Sequence, residues 1–306
     1  MSVKRIILSV HQRHRFRSIQ KGLLLWYKTN RRTFSWRKRI RDPYEVLVCE
    51  VMGQQTQASR IEQFLPRFLT TFPTIRSLAL AKKSDVIKAW QGLGYNRRAL
   101  NLQKAAQELY AKPFPTHEIE LLALPGIGPY TAKAIVIFAF NKPVVTIDVN
   151  VERVLSRIYK KMPSPDAMLT KEKVYQIAEL LLPSKNSRVW HEALMDLGAT
   201  ICVKRNPKCD TCPLFSNCKT RGAFAADNVK LISSEKLYFS HPKRIWRGKV
   251  LKIIANNTTT SEPMLIRSLQ KSYPPTAFSK FIHTVIEELV REGFCESKKN
   301  TYRLLK

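Results

Sequence analysis

The stretch Leu124-Pro-Gly-Ile-Gly-Pro-Tyr-Thr-Ala-Lys-Ala-Ile135, with the apolar run to Phe140 and then Thr146-Ile-Asp-Val-Asn-Val-Glu-Arg153, decides how this chain folds. Pro125, Gly126, Gly128 and Pro129 impose a tight turn and end whatever precedes them. The run from Ala132 to Phe140 then starts a helix at once, so two helices are joined by a Gly-rich turn, a helix-hairpin-helix. Such a turn and the following helix N-terminus leave backbone N–H groups without partners, and a phosphate can bind there without any side-chain charge. Gly126 and Gly128 let the backbone come close. Asp148 follows Tyr130 by 18 residues, so a phosphate grip is succeeded at a fixed distance by one carboxylate. The alternative is a helix pair packed for structure alone.

Composition favours the first reading. The chain has 306 residues, long enough for two or three domains, and 44% apolar residues mark it as globular. Its net charge of +30 points to a polyanionic partner, nucleic acid before an anionic membrane surface. No segment is long and apolar enough to span a bilayer, so no membrane role is expected. Residues 1–41 hold 13 Lys or Arg and no acid. A transit peptide would have that composition. A DNA-tracking arm over residues 1–17 is preferred, because the basic run continues into Trp36 and Arg37.

From residue 18 almost every element reads helical, with helices expected at Ile19–Tyr27, from Tyr44 through Met52, at Ile61–Leu69 with a kink at Pro66, and at Ser84–Leu93. Arg97–Tyr110 places Arg97, Arg98 and Lys104 near a turn, which suits phosphate contact. His117–Leu124 forms the first hairpin helix, and three more helices follow Asp148. Glu50 stands inside the apolar run Val46, Leu47, Val51, Met52. Burying it charged is costly, so it should be partly neutralised or solvated in a cleft. Gln54, Gln55, Thr56 and Gln57 follow, and Cys49–Ser59 lacks Lys and Arg in a chain this basic.

Cys202, Cys209, Cys212 and Cys218 fall within 17 residues. Zinc ribbons favour two short hooks separated by a longer arm. The compact run, with Pro213 after Cys212, fits a [4Fe–4S] cluster better, a structural zinc site being the alternative. Beyond residue 222 the character changes. Residues 223–241 read as a linker. Residues 242–306 read as three helices and a short hairpin tipped by Lys298, Lys299 and Asn300, which resembles a winged helix.

Taken together, Trp36-Arg37, Glu50-Val51-Met52 with Gln54-Gln55-Thr56-Gln57, Trp90-Gln-Gly-Leu-Gly-Tyr95, the hairpin, Asp148 with Asn150 and Arg153, Met195-Asp-Leu-Gly-Ala199 and the four cysteines resemble the MutY-type adenine DNA glycosylases. The resemblance implies a mainly α, two-domain helix-hairpin-helix glycosylase fold over residues 18–222, with the small winged-helix-like domain appended. It implies that Glu50 and Asp148 face each other across a cleft. Glu50 would protonate an adenine ring nitrogen, and Asp148 would stabilise or trap the oxocarbenium-like sugar. The base must first leave the stack. Gln54, Gln55, Tyr95, Gly126, Gly128, Tyr130 and Asn150 would contact the DNA or its bases. Relatives that also cut the strand carry a lysine where this chain has Tyr130, so strand cleavage should be inefficient, with Lys133 leaving room for weak lyase activity. The implied partner is double-stranded DNA holding a mispair or oxidised guanine, bound by a monomer. The implied compartment is the nucleoid of a bacterium, or the nucleus or an organelle of a eukaryote.

The sequence also departs from the family pattern. Gly53 replaces a larger apolar residue, Asn96 a second tyrosine, and Val149 a glycine. Residues 242–306 do not resemble the Nudix-like domain that reads 8-oxoguanine, and Phe239-Ser240-His241, similar to that domain's reading loop, is taken as coincidence. Two other functions fit the scaffold. One is a thymine or uracil mismatch glycosylase, which Glu50 with Gln54-Gln55 disfavours. The other is a non-catalytic DNA-binding protein, which the presence of both carboxylates disfavours.

Overall fold

The computed structural model describes residues 9–37, 41–224, 235–270, 273–298 and 300–305. The chain runs through α1 (Val10–Asn30), α2 (Pro43–Gly53), α3 (Ala58–Thr71), α4 (Ile75–Ala79), α5 (Lys83–Trp90) and α6 (Arg97–Leu109). It continues through α7 (Glu118–Leu122), α8 (Pro129–Phe140), α9 (Val149–Tyr159), α10 (Lys171–Leu181) and α11 (Ser187–Thr200). A mixed segment follows: β1 (Leu237–Tyr238), β2 (His241–Pro242), α12 (Lys243–Asn256), β3 (Thr260–Ser261), α13 (Glu262–Leu269), α14 (Pro275–Arg291), β4 (Cys295–Lys298) and β5 (Thr301–Leu304). Among the described residues no helix is long and apolar enough to cross a membrane.

These elements form two units. The first comprises the described residues of Met1–Arg41, Thr116–Glu118 and Gly128–Leu231; the second those of Asp42–Pro115, Ile119–Ile127 and Ile232–Lys306. The chain therefore passes between units within the hairpin turn. In the first unit Ile19 and Leu23 of α1 share a core with Val154 and Leu155 of α9 and Trp190 and Leu194 of α11. In the second, Phe68 packs edge-on against the buried Trp90, with ring centroids 5.6 Å apart.

Several boundaries differ from the sequence reading. Residues 10–17, expected in a basic arm, belong to α1. Ser9 and Gln12 form a reciprocal capping box there, and Phe16 joins the spacing of Ile19, Leu23 and Tyr27 on the buried face. Residues 1–8 of that expected arm lie outside the described residues. Pro66 does not interrupt α3. It lies on the exposed face of the helix, where its ring meets no packed neighbour helix. The first hairpin helix is only five residues long.

The linker expected over residues 223–241 ends sooner, because Leu237 and Tyr238 pair antiparallel with Pro242 and His241. Tyr238 accepts a hydrogen bond from Trp246 Nε1 (2.6 Å), and Phe239 packs on Phe278. The remainder of that segment, residues 225–234, lies outside the described residues. The C-terminal module has the expected three helices, here with a three-stranded antiparallel sheet in the order β3-β5-β4. The hairpin β4–β5 is present, Lys299 at its tip lying outside the described residues. The module does not stand apart from the preceding helices. Ile87 of α5 and Leu100 of α6 share one core with Trp246, Val250 and Leu251 of α12.

Candidate functional site

Asp148 is the N-cap of α9. Its Oδ1 accepts from the backbone N–H of Asn150 (3.0 Å) and Val151 (2.7 Å), and its Oδ2 accepts from Asn150 Nδ2 (3.0 Å). Both backbone donors are the orphan amides of the first helical turn. The carboxylate is thus fixed in orientation by the helix it opens. Asn150, expected as a DNA contact, here orients Asp148, and its Oδ1 accepts from Arg153 Nη2 (2.8 Å). Arg153 also donates to the carbonyls of Gly198 (2.7 Å) and Cys202 (2.7 Å). Gly198 is needed for this fit: a Cβ there would stand 2.7 Å from Asn150 Cβ and 3.1 Å from its backbone.

The same unit holds the cysteine loop. Arg157, one turn after Arg153, donates to the carbonyls of Val203 (2.8 Å) and Lys204 (2.7 Å), and its Nη1 lies 3.6 Å from Cys202 Sγ. Cys202, Cys209, Cys212 and Cys218 line one recess with apolar walls that include Ile201, Pro207, Phe215 and Phe224. Burial pushes the Cys212 thiol up to about 12, and the other three cysteines are close enough to add to the rise. Among the described residues no three His, Cys, Asp or Glu side chains are drawn together as a single metal ion requires. Four thiols lining one recess are the donor set that a [4Fe–4S] cluster takes, and also one that zinc takes. Lys204 and Arg205 of the loop pair with Asp166.

Arg37 and Asp196, both within stretches that carry the family resemblance, meet in a buried pair at 2.7 and 2.9 Å, joined by Arg32. Burial alone would raise the Asp196 carboxyl, but Arg37 and Arg32 hold it below the usual carboxylate range.

Glu50 lies in the second unit, half-buried on α2 beside Leu47, Val51 and Met52, all buried. The C-terminus of α2 turns into Gln54 and Gln55, and Gln55 takes a left-handed conformation (φ 57°). Gln54 Nε2 donates to the carbonyl of Gly126 (3.2 Å). Gly126 itself is left-handed (φ 78°), and a Cβ there would meet Asn101 at 2.8 Å. Gly128 is the N-cap of α8 and makes no side-chain cap bond, and Tyr130 is exposed in the first turn of α8. Tyr95 is exposed and left-handed (φ 46°).

Arg98, expected near a phosphate, is buried instead. It donates to the carbonyls of Val51 (3.0 Å), Met52 (2.7 Å), Gln54 (2.6 Å) and Gly94 (3.1 Å). Arg98 thus supplies donors to carbonyls at and just past the end of α2, the Val51 carbonyl also accepting from the Gln54 N–H (3.4 Å). Burial lowers its pKa to about 10. Arg98 and Arg157 escaped the sequence reading as struts. Their signal is an arginine on a helix face otherwise filled by buried residues.

Residues 48–180 match the model of the HhH-GPD superfamily of base excision DNA repair proteins. An adenine DNA glycosylase of Mycolicibacterium smegmatis is 37% identical over 241 residues, 78% of this chain and 80% of that protein. This chain belongs to the adenine DNA glycosylase family. The human adenine DNA glycosylase is 34% identical over 70% of the chain, which spans only 42% of that longer protein. Among solved structures, a thermostable thymine-DNA glycosylase aligns with TM-score 0.62 and 28% identity, covering 69% of this chain and 98% of that one. An endonuclease III–DNA complex shares the fold, with TM-score 0.58 and 22% identity over 71% of this chain and 98% of that one.

The Gly198–Asn150 contact yields a direct test. Gly198→Ala forces α9 and α11 apart at Asn150 and should cost about 1–3 kcal/mol in denaturant unfolding, as overpacking does. An unchanged unfolding midpoint would contradict the close approach.

Proposed function

We propose that this protein is a monofunctional DNA glycosylase that excises adenine mispaired with guanine or 8-oxoguanine from double-stranded DNA, acting as a monomer wherever the cell keeps its DNA. The observation that carries this reading is the helix-fixed carboxylate of Asp148 in a chain 37% identical to an adenine DNA glycosylase over four-fifths of that protein's length.

Each site residue then has a task. The backbone amides of Gly128 and Tyr130, at the N-terminus of α8, grip a phosphate of the damaged strand. Gln54, Gln55 and Tyr95 occupy the space left when the adenine flips out. Glu50 donates a proton to a ring nitrogen of the adenine. The bond from N9 to the sugar C1′ breaks, its electron pair leaving with the base. Asp148 stabilises the cationic sugar until water adds at C1′ and gives up a proton. Tyr130 offers no amine to attack that sugar, so the product is an abasic site on an intact strand. Cys202, Cys209, Cys212 and Cys218 would hold a [4Fe–4S] cluster, which supplies a four-point crosslink to the loop. Through Arg153 and Arg157 that loop is tied to α9, the helix that presents Asp148.

A second reading, removal of thymine opposite guanine, gains support from the likeness to the thymine-DNA glycosylase. Glu50 with Gln54 and Gln55 and the higher identity to adenine glycosylases weigh against it.

Under single-turnover conditions the protein should release adenine from A:G and A:8-oxoguanine duplexes, with strand breaks appearing only after alkali. Asp148→Asn and Glu50→Gln should each slow release by roughly 10²–10⁴-fold. Release at the wild-type rate by either variant would contradict these roles. The purified protein should carry about four iron and four sulfide per chain; one zinc per chain instead would contradict the cluster.

A further inference from the structure

The second unit contains a pocket of about 420 Å³ whose wall combines Gln54, Gln55, Tyr95 and Arg98 with Arg244 and Arg247 of the C-terminal module. The base-facing residues and the module thus share one surface, and the common core through Ile87, Leu100 and Trp246 fixes α12 beside it. The lining holds four arginines against one acid, Glu292. Three of these arginines are already engaged by the fold. Arg98 supports the carbonyls behind Gln54, Arg247 pairs with Glu288 and Glu292, and Arg97 donates to the Glu292 carbonyl.

Arg244 differs. Its guanidinium lies 5.9 Å from the centroid of the exposed Tyr95 ring, on which Arg98 also lies at 5.5 Å. Its partner is Glu235, at 2.9 and 3.1 Å, and both side chains remain over 40% exposed. An ion pair so open to water is weak and exchangeable. A guanidinium holding a carboxylate through two parallel bonds has the geometry that also receives a phosphate.

Building on the glycosylase reading, we propose that this pocket is a backbone-phosphate subsite in which Arg244 takes a DNA phosphodiester next to Tyr95, displacing Glu235. The C-terminal module is then part of the DNA-binding surface, and Glu235 occupies the site until DNA arrives. A phosphate contact of this kind adds affinity without regard to sequence and adds to the salt dependence of binding.

The test is equilibrium binding of the full chain to A:G, A:8-oxoguanine and fully matched duplexes across a salt series, in an Asp148→Asn background that leaves the DNA intact. Arg244→Gln should weaken binding to all three to a similar extent and flatten the log–log salt slope by about 1. Glu235→Gln should tighten binding. An Arg244→Gln protein with unchanged affinity and slope overturns the proposal. Shifts of the same sign in both variants overturn it too, since a structural ion pair loses the same bond from either side. A loss confined to the 8-oxoguanine duplex at constant slope also overturns it, in favour of base reading. Absence of base release from the wild-type chain would instead strike the glycosylase reading, leaving the binding comparison to decide the role of Arg244.

Discussion

The first unit is arranged around one buried guanidinium. Arg153 projects from α9 and has a carbonyl or amide oxygen for each of its nitrogens: Cys202 and Gly198 on one side, Val149 and Asn150 on the other. An unpaired guanidinium at that depth would be prohibitively costly, so the surrounding backbone must stay where it is. The consequence reaches in two directions. Toward the N-terminus of α9, Asn150 is clamped between Arg153, Gly198 and the carboxylate of Asp148. Toward the C-terminal end of α11, the chain entering the cysteine loop is held at its first cysteine, Cys202. The Asp148 carboxylate and the cysteine loop are therefore mechanically coupled through α9, by way of Arg153 and Arg157.

The second unit repeats the device. Arg98 satisfies the carbonyls at the end of α2, and these belong to the backbone that presents Gln54 and lies just past Glu50. A helix end with no side-chain cap is unstable alone. Supplying it from a neighbouring helix fixes the left-handed turn at Gln55 and, through the Gly94 carbonyl, the turn at Tyr95. Two strained, polar turns thereby acquire a rigid support, as the DNA-contacting role proposed for them requires.

The hairpin turn and the grouping of the four cysteines were legible because each depends on local rules: turn glycines and prolines, and thiols at short spacing. The tight approach of Gly198 to Asn150 was present in the sequence only as a glycine within an apolar helix. Its meaning requires knowing which helix packs on it. Arg98 was misread for the same reason, because charge composition says nothing about which arginines face inward to serve carbonyls. The residues from Leu237 to Phe239 looked like linker, yet two of their aromatic rings belong to the C-terminal module. The joining of that module to α5 and α6 rests on Ile87 and Leu100, ordinary apolar residues whose partners lie about 150 residues away in the chain.

The scaffold is shared by enzymes that remove different bases, so the chemistry of the released base is the point at which this account is most exposed. The decisive measurement is the identity of the base freed in a single turnover from a panel of A:8-oxoguanine, A:G, T:G and U:G duplexes. The account predicts free adenine from the first two and no release from the others. Thymine or uracil released at rates matching or exceeding adenine would contradict it and place the protein with the pyrimidine mismatch glycosylases.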